Sequence, residues 1–247
     1  METNTVKSAT RVILVLEYFD QVRRSASVAE VAEHHMWPHS STSALMRSLV
    51  TLGYLHYDSS DRTYLPSMRV ALLGDWIQNM PLKNGPLLHL LQYLNDETGE
   101  TIVLAAQNGL HAQYLRVLQG TNVVRTHFHI STRRPLLNSG TGRMLITRMD
   151  DASIRKLVRK HNAHFDAERQ IDSAQVFERL ATDRKNGYAL SIHQVTAYTG
   201  VIATLLPTPP GKQPLAIGIA GLSQRLVSDE QRFVGAMRQA IKLFSDE

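Results

Sequence analysis

Residues 27–65 read SVAEVAEHHMWPHSSTSALMRSLVTLGYLHYDSSDRTYL, and the punctuation of this stretch decides the fold. Ser27 is an N-cap for a helix over Val28–His35, with Glu30 at the third helical position completing a capping box. Trp37-Pro38 interrupts that helix, because a residue before proline avoids the helical region. A third helix is expected over Ser40–Leu52, opened by a serine-rich cap. Leu45, Met46, Leu49 and Leu52 form its apolar stripe, while Ser40, Thr42, Ser43 and Arg47 face elsewhere. Gly53 stops it, since glycine tolerates the left-handed position after a helix. Tyr54–Asp58 and Arg62–Leu65 are short aromatic-rich strands joined by Ser59-Ser60-Asp61. Upstream, Val12, Val15, Leu16 and Phe19 give a helix over Ala9–Phe19 capped by Ser8. Downstream, Pro66 ends the hairpin. A connecting helix over Ser67–Asn79 then carries Val70, Leu73, Trp76 and Ile77 on one side.

Helix, helix, turn, helix and hairpin make a winged helix-turn-helix, a motif that reads duplex DNA. The third helix must bury one stripe and offer its opposite face to the major groove, where short polar side chains meet base edges or phosphates. His39, Ser40, Ser41, Thr42 and Ser43 supply such side chains at the helix start. The helix N-terminus adds unpaired N–H groups and partial positive charge suited to a phosphate. Arg47, one turn on, reaches a guanine or a phosphate, and Arg62 and Tyr64 of the wing reach the flanking backbone. A serine cluster alone is an ordinary helix cap; the order of elements around it argues for DNA.

From Pro81 to Pro86, with Asn84-Gly85, the texture changes. Leu87–Thr98, Gly142–Thr147, Ser153–His161, Ala174–Lys185 and Ser228–Ser245 read as helices. Thr101–Gln107, Gln113–Leu118, Tyr188–His193, Val201–Leu206 and Leu215–Leu222 read as strands. A sheet with helices on its faces fits this alternation. The expected class is α+β: a winged head over residues 1–66, a connecting helix and linker over 67–81, and a sheet domain over 82–247.

The 247 residues are 43% apolar and 20% charged, so the chain buries a substantial core and is not disordered. No apolar run is long enough for a transmembrane helix, and the start lacks a signal peptide's plan. The absence of cysteine excludes disulfides, zinc-thiolate sites, iron–sulfur clusters and a cysteine nucleophile. A cytoplasmic location is expected, with no membrane partner, no cofactor and no metal. The net charge of +5 does not by itself argue for nucleic acid: residues 1–80 hold seven Lys/Arg against eight Asp/Glu, and the excess lies beyond them.

Lys7-Ser8-Ala9-Thr10-Arg11, Ser27 to Ala32, Pro38-His39-Ser40-Ser41, Leu45-Met46, Leu49, Leu52-Gly53-Tyr54-Leu55 and Tyr64-Leu65 resemble the winged helix of the IclR family of bacterial transcription regulators. The resemblance continues through Pro135–Leu145, Asn186-Gly187-Tyr188-Ala189 and Ala216–Gly221, and so covers nearly the whole chain. It implies a GAF-like effector domain that binds a small metabolite, and a homodimer or homotetramer on a partly symmetric double-stranded DNA operator. It also implies that Lys7 and Arg11 join the DNA contacts, and that Leu137, Asn138, Ser139, Gly140, Gly142, His193, Gly218 and Ala220 line the effector pocket. The family commonly has an arginine where this chain has Ala44. Leu137 stands at the family's histidine position, Gly218 and Ala220 at its serine pair, and His193 and Gln194 at its acidic pair. The pocket is therefore expected to be roomy and weakly polar, suited to an apolar or aromatic acid with few polar anchors.

Other patterns support blander readings. Asn138-Ser139-Gly140-Thr141-Gly142 lacks the lysine of a phosphate-binding loop and reads as a pocket-lining turn. His127 and His129, on one expected strand face, and His161 and His164, one turn apart, lack acidic partners for a metal. The run Arg155-Lys156, Arg159-Lys160 reads as a solvated helix face, with an inter-subunit or DNA-flanking role as the lesser alternative. Ser139 and Ser191 lack the surroundings of a nucleophile, and the protein is not expected to be an enzyme. Two rival functions stay open: a winged helix that grips a partner protein, and a GAF-like enzyme with a vestigial head.

Overall fold

A computed structural model describes residues 5–73, 85–166, 170–209 and 211–244. The chain divides into two compact units, Met1–Met80 and Pro81–Glu247.

The first unit runs α1 (Lys7–Val22), α2 (Val28–His35), α3 (His39–Thr51), β1 (Leu55–Asp58), β2 (Thr63–Pro66) and α4 (Met68–Leu72). Val15, Tyr18, Phe19, Val31, Met46, Leu49, Leu55 and Tyr64 fill its core. The capping box forms: Glu30 N donates to Ser27 Oγ, and Ser27 N donates to Glu30 Oε2 at 2.8 Å. Ala26 and Tyr64 exchange backbone hydrogen bonds, which ties the strand entering α2 to the wing.

Three local expectations change. α1 begins at Lys7 with Val6 before it, so Ser8 lies inside the first turn and caps nothing. α3 has Pro38 at its N-cap and no side-chain cap; the hydroxyls of Ser41 and Thr42 instead donate backwards to the Pro38 carbonyl, each at 3.0 Å. Thr42 is fully buried and Leu52 is 57% exposed, the reverse of the expected faces. Thr42, Met46 and Leu49 share one helical stripe, and α3 ends at Thr51, so Leu52 falls off that stripe. Of the connecting helix, Met68–Leu72 is present, with Ser67 as its cap. Residues 74–79, and most of the boundary from Pro81 to Pro86, lie outside the described residues.

The second unit runs α5 (Pro86–Thr98), β3 (Thr101–Asn108), β4 (His111–Leu118), β5 (Arg133–Pro135), α6 (Gly140–Ile146), α7 (Asp151–His164) and α8 (Ser173–Asn186). It continues with β6 (Ala189–Ile192), β7 (Thr199–Leu205), β8 (Leu215–Leu222), α9 (Ser223–Ser228) and α10 (Glu230–Phe244). The six strands form one antiparallel sheet in the order β5-β4-β3-β8-β7-β6. Period-two alternation serves both faces. Val103, Ala105, Ala216 and Ala220 pack under α6, α7 and α8, while Ile102, Leu104, Ile217 and Ile219 pack under α5 and α10. β5 and α9 have no counterpart in the sequence reading. The segment carrying His127 and His129 is irregular rather than a strand.

Two ion pairs on buried carboxylates pin this unit. Arg143 makes a two-pronged contact with Asp183 at 2.7 and 3.2 Å and donates to the Leu190 carbonyl, which joins α6, α8 and β6. The fully buried Glu100 holds Arg225 of α9 and accepts from Asn122. A Cβ on Gly221 would lie 2.5 Å from the Glu100 carboxylate, so glycine there makes room for the pair. Among the described residues no helix is long and apolar enough to cross a membrane.

Candidate functional site

The first candidate is an open groove between α3 and the wing. It has an empty volume of about 1140 Å³, and His39, Ser43, Arg47, Arg62 and Tyr64 all border it, with Thr51 and Tyr57. His39, Ser40 and Arg47 are exposed and Ser43 is half-buried. Without a side-chain cap, the first amides of α3 have no intrahelical acceptor, which leaves them for water or an anion. The exposed Arg47 can present two donors to a guanine edge. Arg62 stands at the wing turn with φ +54°, exposed.

Four residues sit differently from their sequence reading. Thr42 points inward, as described above. Tyr64 is buried, its ring 4.8 Å from that of Tyr57, and burial pushes its phenol pKa up. Tyr57, which the sequence reading did not select, is the exposed wing tyrosine. Arg11 lies over the Trp37 ring at 4.8 Å and donates to Ser41 Oγ at 3.3 Å. Both therefore brace the turn before α3. Lys7 is exposed at the start of α1.

The second candidate is a cavity on the α6 face of the sheet, with an empty volume of about 350 Å³. That space includes the open mouth of the cavity. Of the expected pocket residues, Ser139 and Ala220 line it. Leu137 is core, and Asn138 holds the site from behind, its carbonyl accepting from Ser191 Oγ. Gly140 and Gly142 are packing positions: an added Cβ would meet Val201 at 2.9 Å in the first case and collide with the Leu136 backbone in the second. Gly218 opens no room either, because Val201, Val103 and Thr141 fill the space beside it. His193 is exposed, and its Nδ1 accepts the Tyr198 N–H at 2.9 Å, closing the base of the loop whose Gln194, Val195 and Thr196 line the cavity.

Arg134, Ser191, Gln194, Thr196 and Thr199 face the cavity together with Tyr114, Phe128 and Val201. The Arg134 guanidinium lies 4.7 Å from the centre of the Phe128 ring and 6.0 Å from that of Tyr114. Burial pushes the Tyr114 phenol up against the opposing pull of Arg134, so it stands as a neutral hydroxyl. Alternation along β4, where Ala112 and Tyr114 face the same core, could have exposed Tyr114. Nothing in the sequence marked Arg134, because three-residue β5 carries no pattern. Among the described residues no three His, Asp or Glu gather as a metal site.

An open reading face on one unit and a partly open cavity in the other fit a DNA-binding regulator with a separate ligand domain. Models of known families agree: the IclR helix-turn-helix domain matches residues 8–59, and the bacterial transcriptional regulator IclR C-terminal domain matches residues 77–245. The HTH-type transcriptional repressor AllR of Escherichia coli K12 is 26% identical over 228 residues, covering 91% of this chain and 82% of that protein. The transcriptional repressor IclR of the same organism is 23% identical over 240 residues, covering 95% and 87%. The Thermotoga maritima IclR structure superposes with a TM-score of 0.68 at 15% identity, over 97% of this chain and 98% of that one. The effector domain of a putative regulator from Acinetobacter sp. ADP1 gives 0.61 at 27% identity, over 66% and 95%. The chain belongs to the IclR family and is a DNA-binding transcription regulator with a C-terminal effector domain.

Proposed function

We propose that operator affinity is controlled by a small organic anion, an aromatic or apolar acid, bound in the Arg134 cavity. Residues 1–66 read DNA, 67–81 connect, and 82–247 bind effector and associate subunits. The observation that carries this reading is the placement of one guanidinium, that of Arg134, against two aromatic rings in a partly open cavity. A carboxylate pairs with the cation, and Tyr114, Phe128 and Val201 take the apolar body. On the DNA side, His39, Ser40, Ser43 and Arg47 make the groove contacts, and Lys7 and Arg62 meet flanking phosphates. Arg11 and Ser41 position the turn between α2 and α3.

Homodimers, pairing into homotetramers, place two heads on a two-fold operator, which multiplies a small head's specificity. The protein acts in the cytoplasm and turns over no substrate. The relatives' designation as repressors supports repression as the outcome of binding. Effector and DNA shift each other's affinity by the same factor, typically about 5- to 150-fold. Titration calorimetry against benzoate, phenylacetate, pyruvate and glyoxylate tests the ligand class. Aromatic acids are expected to bind and Arg134→Met to abolish that binding; tight binding of the two-carbon and three-carbon acids alone overturns the assignment.

A further inference from the structure

The positive charge of this DNA-binding protein does not lie in its reading head. Residues 1–80 carry seven Lys/Arg and eight Asp/Glu, whereas residues 81–247 carry twenty and fourteen. The densest basic surface within that second half is α7. Ile154, Val158 and His161 anchor its inner face, and Arg155, Lys156, Arg159 and Lys160 are exposed on its outer side. None of the four takes part in an ion pair among the described residues.

Two acids at the neighbouring helix starts are occupied, while the exposed Asp151 stands four residues before Arg155. Asp150 accepts from Ser153 as the cap of α7, and Asp172 accepts from Ala174 as the cap of α8. The pairs Arg155/Arg159 and Lys156/Lys160 stand at i,i+4, where like charges destabilise a helix. The fold therefore maintains a repulsive arrangement from which it gains no internal contact beyond Arg155 lying 5.1 Å over the Phe177 ring. Alongside runs a groove of about 930 Å³ bordered by Arg155, Arg159 and Asn162. Asn162 makes two hydrogen bonds to the Ile171 backbone, which fixes the groove's far wall.

We propose that the outer face of α7 is a second, sequence-independent contact with duplex DNA, its four cations meeting backbone phosphates. A row of four exposed cations, with only Asp151 on the same helix to offset Arg155, suits a polyanion of regular charge spacing, and duplex DNA is the polyanion a regulator of this family holds. The face adds counterion-releasing phosphate contacts to those that Lys7 and Arg62 make in the head. Arg47 and the start of α3 then supply sequence choice, and α7 supplies attraction.

The test is the salt dependence of binding to a short duplex of arbitrary sequence, for the full-length protein and for the variant Arg155→Gln, Lys156→Gln, Arg159→Gln, Lys160→Gln. The plot of log affinity against log salt should flatten by about 0.9 for each phosphate that α7 no longer neutralises. The double variant Arg155→Lys, Arg159→Lys should keep the parent slope. Sedimentation and melting controls should match the parent. If the quadruple variant does not fold, Arg159→Gln and Lys160→Gln are measured singly, and a parent-like slope in both overturns the proposal. An unchanged slope in a folded quadruple variant overturns it too, as does a changed oligomeric state, which would make the face a subunit interface. Loss of sequence preference on Arg47→Ala together with an unchanged α7 slope would leave the head reading intact and remove this one alone.

Discussion

In the first unit the candidate contacts stand on one exposed helix and a neighbouring hairpin, with His39, Ser43 and Arg47 separated by four residues each. In the second they converge from β4, β5, β6, β7 and β8 and from irregular segments, between Tyr114 and Ala220, around a partly open cavity. The first arrangement is a surface, shaped for a partner larger than itself. The second is a container, shaped for a partner smaller than one helix turn. The two also differ in what holds them rigid. Both have apolar cores, but the head adds a surface capping box where the effector domain adds two ion pairs on buried carboxylates. A surface tolerates local change because each contact is made separately. A container fails together, because its walls are set by distant strands.

The sharpest way to test that contrast is Arg143→Ala. It strands Asp183 as a buried, unpaired charge and should lower the stability of the effector domain by about 3–5 kcal/mol. Differential scanning calorimetry should show the transition of residues 82–247 displaced and that of the head retained; a uniform shift of a single transition would break the independence of the units. Next in size is Arg47→Ala. It should weaken operator binding by about 1–3 kcal/mol and relax preference at one base position, read by gel shift on a set of operator variants. Effector affinity without DNA should be unaffected.

Smaller still is Ser27→Ala, which removes the capping box from α2 and should cost the head about 0.5–2 kcal/mol in urea unfolding. The smallest effect is that of pH on the head. Burial, with the neighbouring His34 second, holds the His35 imidazole below its ordinary value. Its ring stacks on Trp37 at 4.3 Å, and Glu17 and Arg11 of α1 lie on the facing side. The unfolded chain therefore binds a proton more readily than the folded one, so head stability falls as pH drops through about 6.5 and recovers above it. His35→Phe should flatten that dependence in circular-dichroism melts; an unchanged profile would place the titration elsewhere.

The head was legible because its signals are local. Ser27 and Glu30 stand three residues apart, Trp37-Pro38 breaks a helix by its own sterics, and Gly53 takes φ +78° where α3 gives way to the wing. Thr42 misled because a threonine is polar by composition. Its hydroxyl is satisfied by the Pro38 carbonyl, and it then packs as an apolar residue would. In the effector domain the strands were legible from alternation, as in Thr101–Asn108 and Leu215–Leu222. The pocket was not. Gly218 suggested space only until Val201, Val103 and Thr141 were seen to occupy it, and Arg134 sits on a strand too short to carry a pattern.

Chain order and composition were enough to establish a winged head, a helix leading out of it, and a two-faced sheet domain without cysteine chemistry. Those properties depend on neighbours within a few residues, whose sterics and periodicity act before any long-range contact forms. Which side chains surround the cavity, and that Glu100 reaches Arg225 past Gly221, were decided only when β3 paired with β8 across more than a hundred residues of chain. Such pairings are set by the packing of the whole sheet against its helices, and no local pattern encodes them.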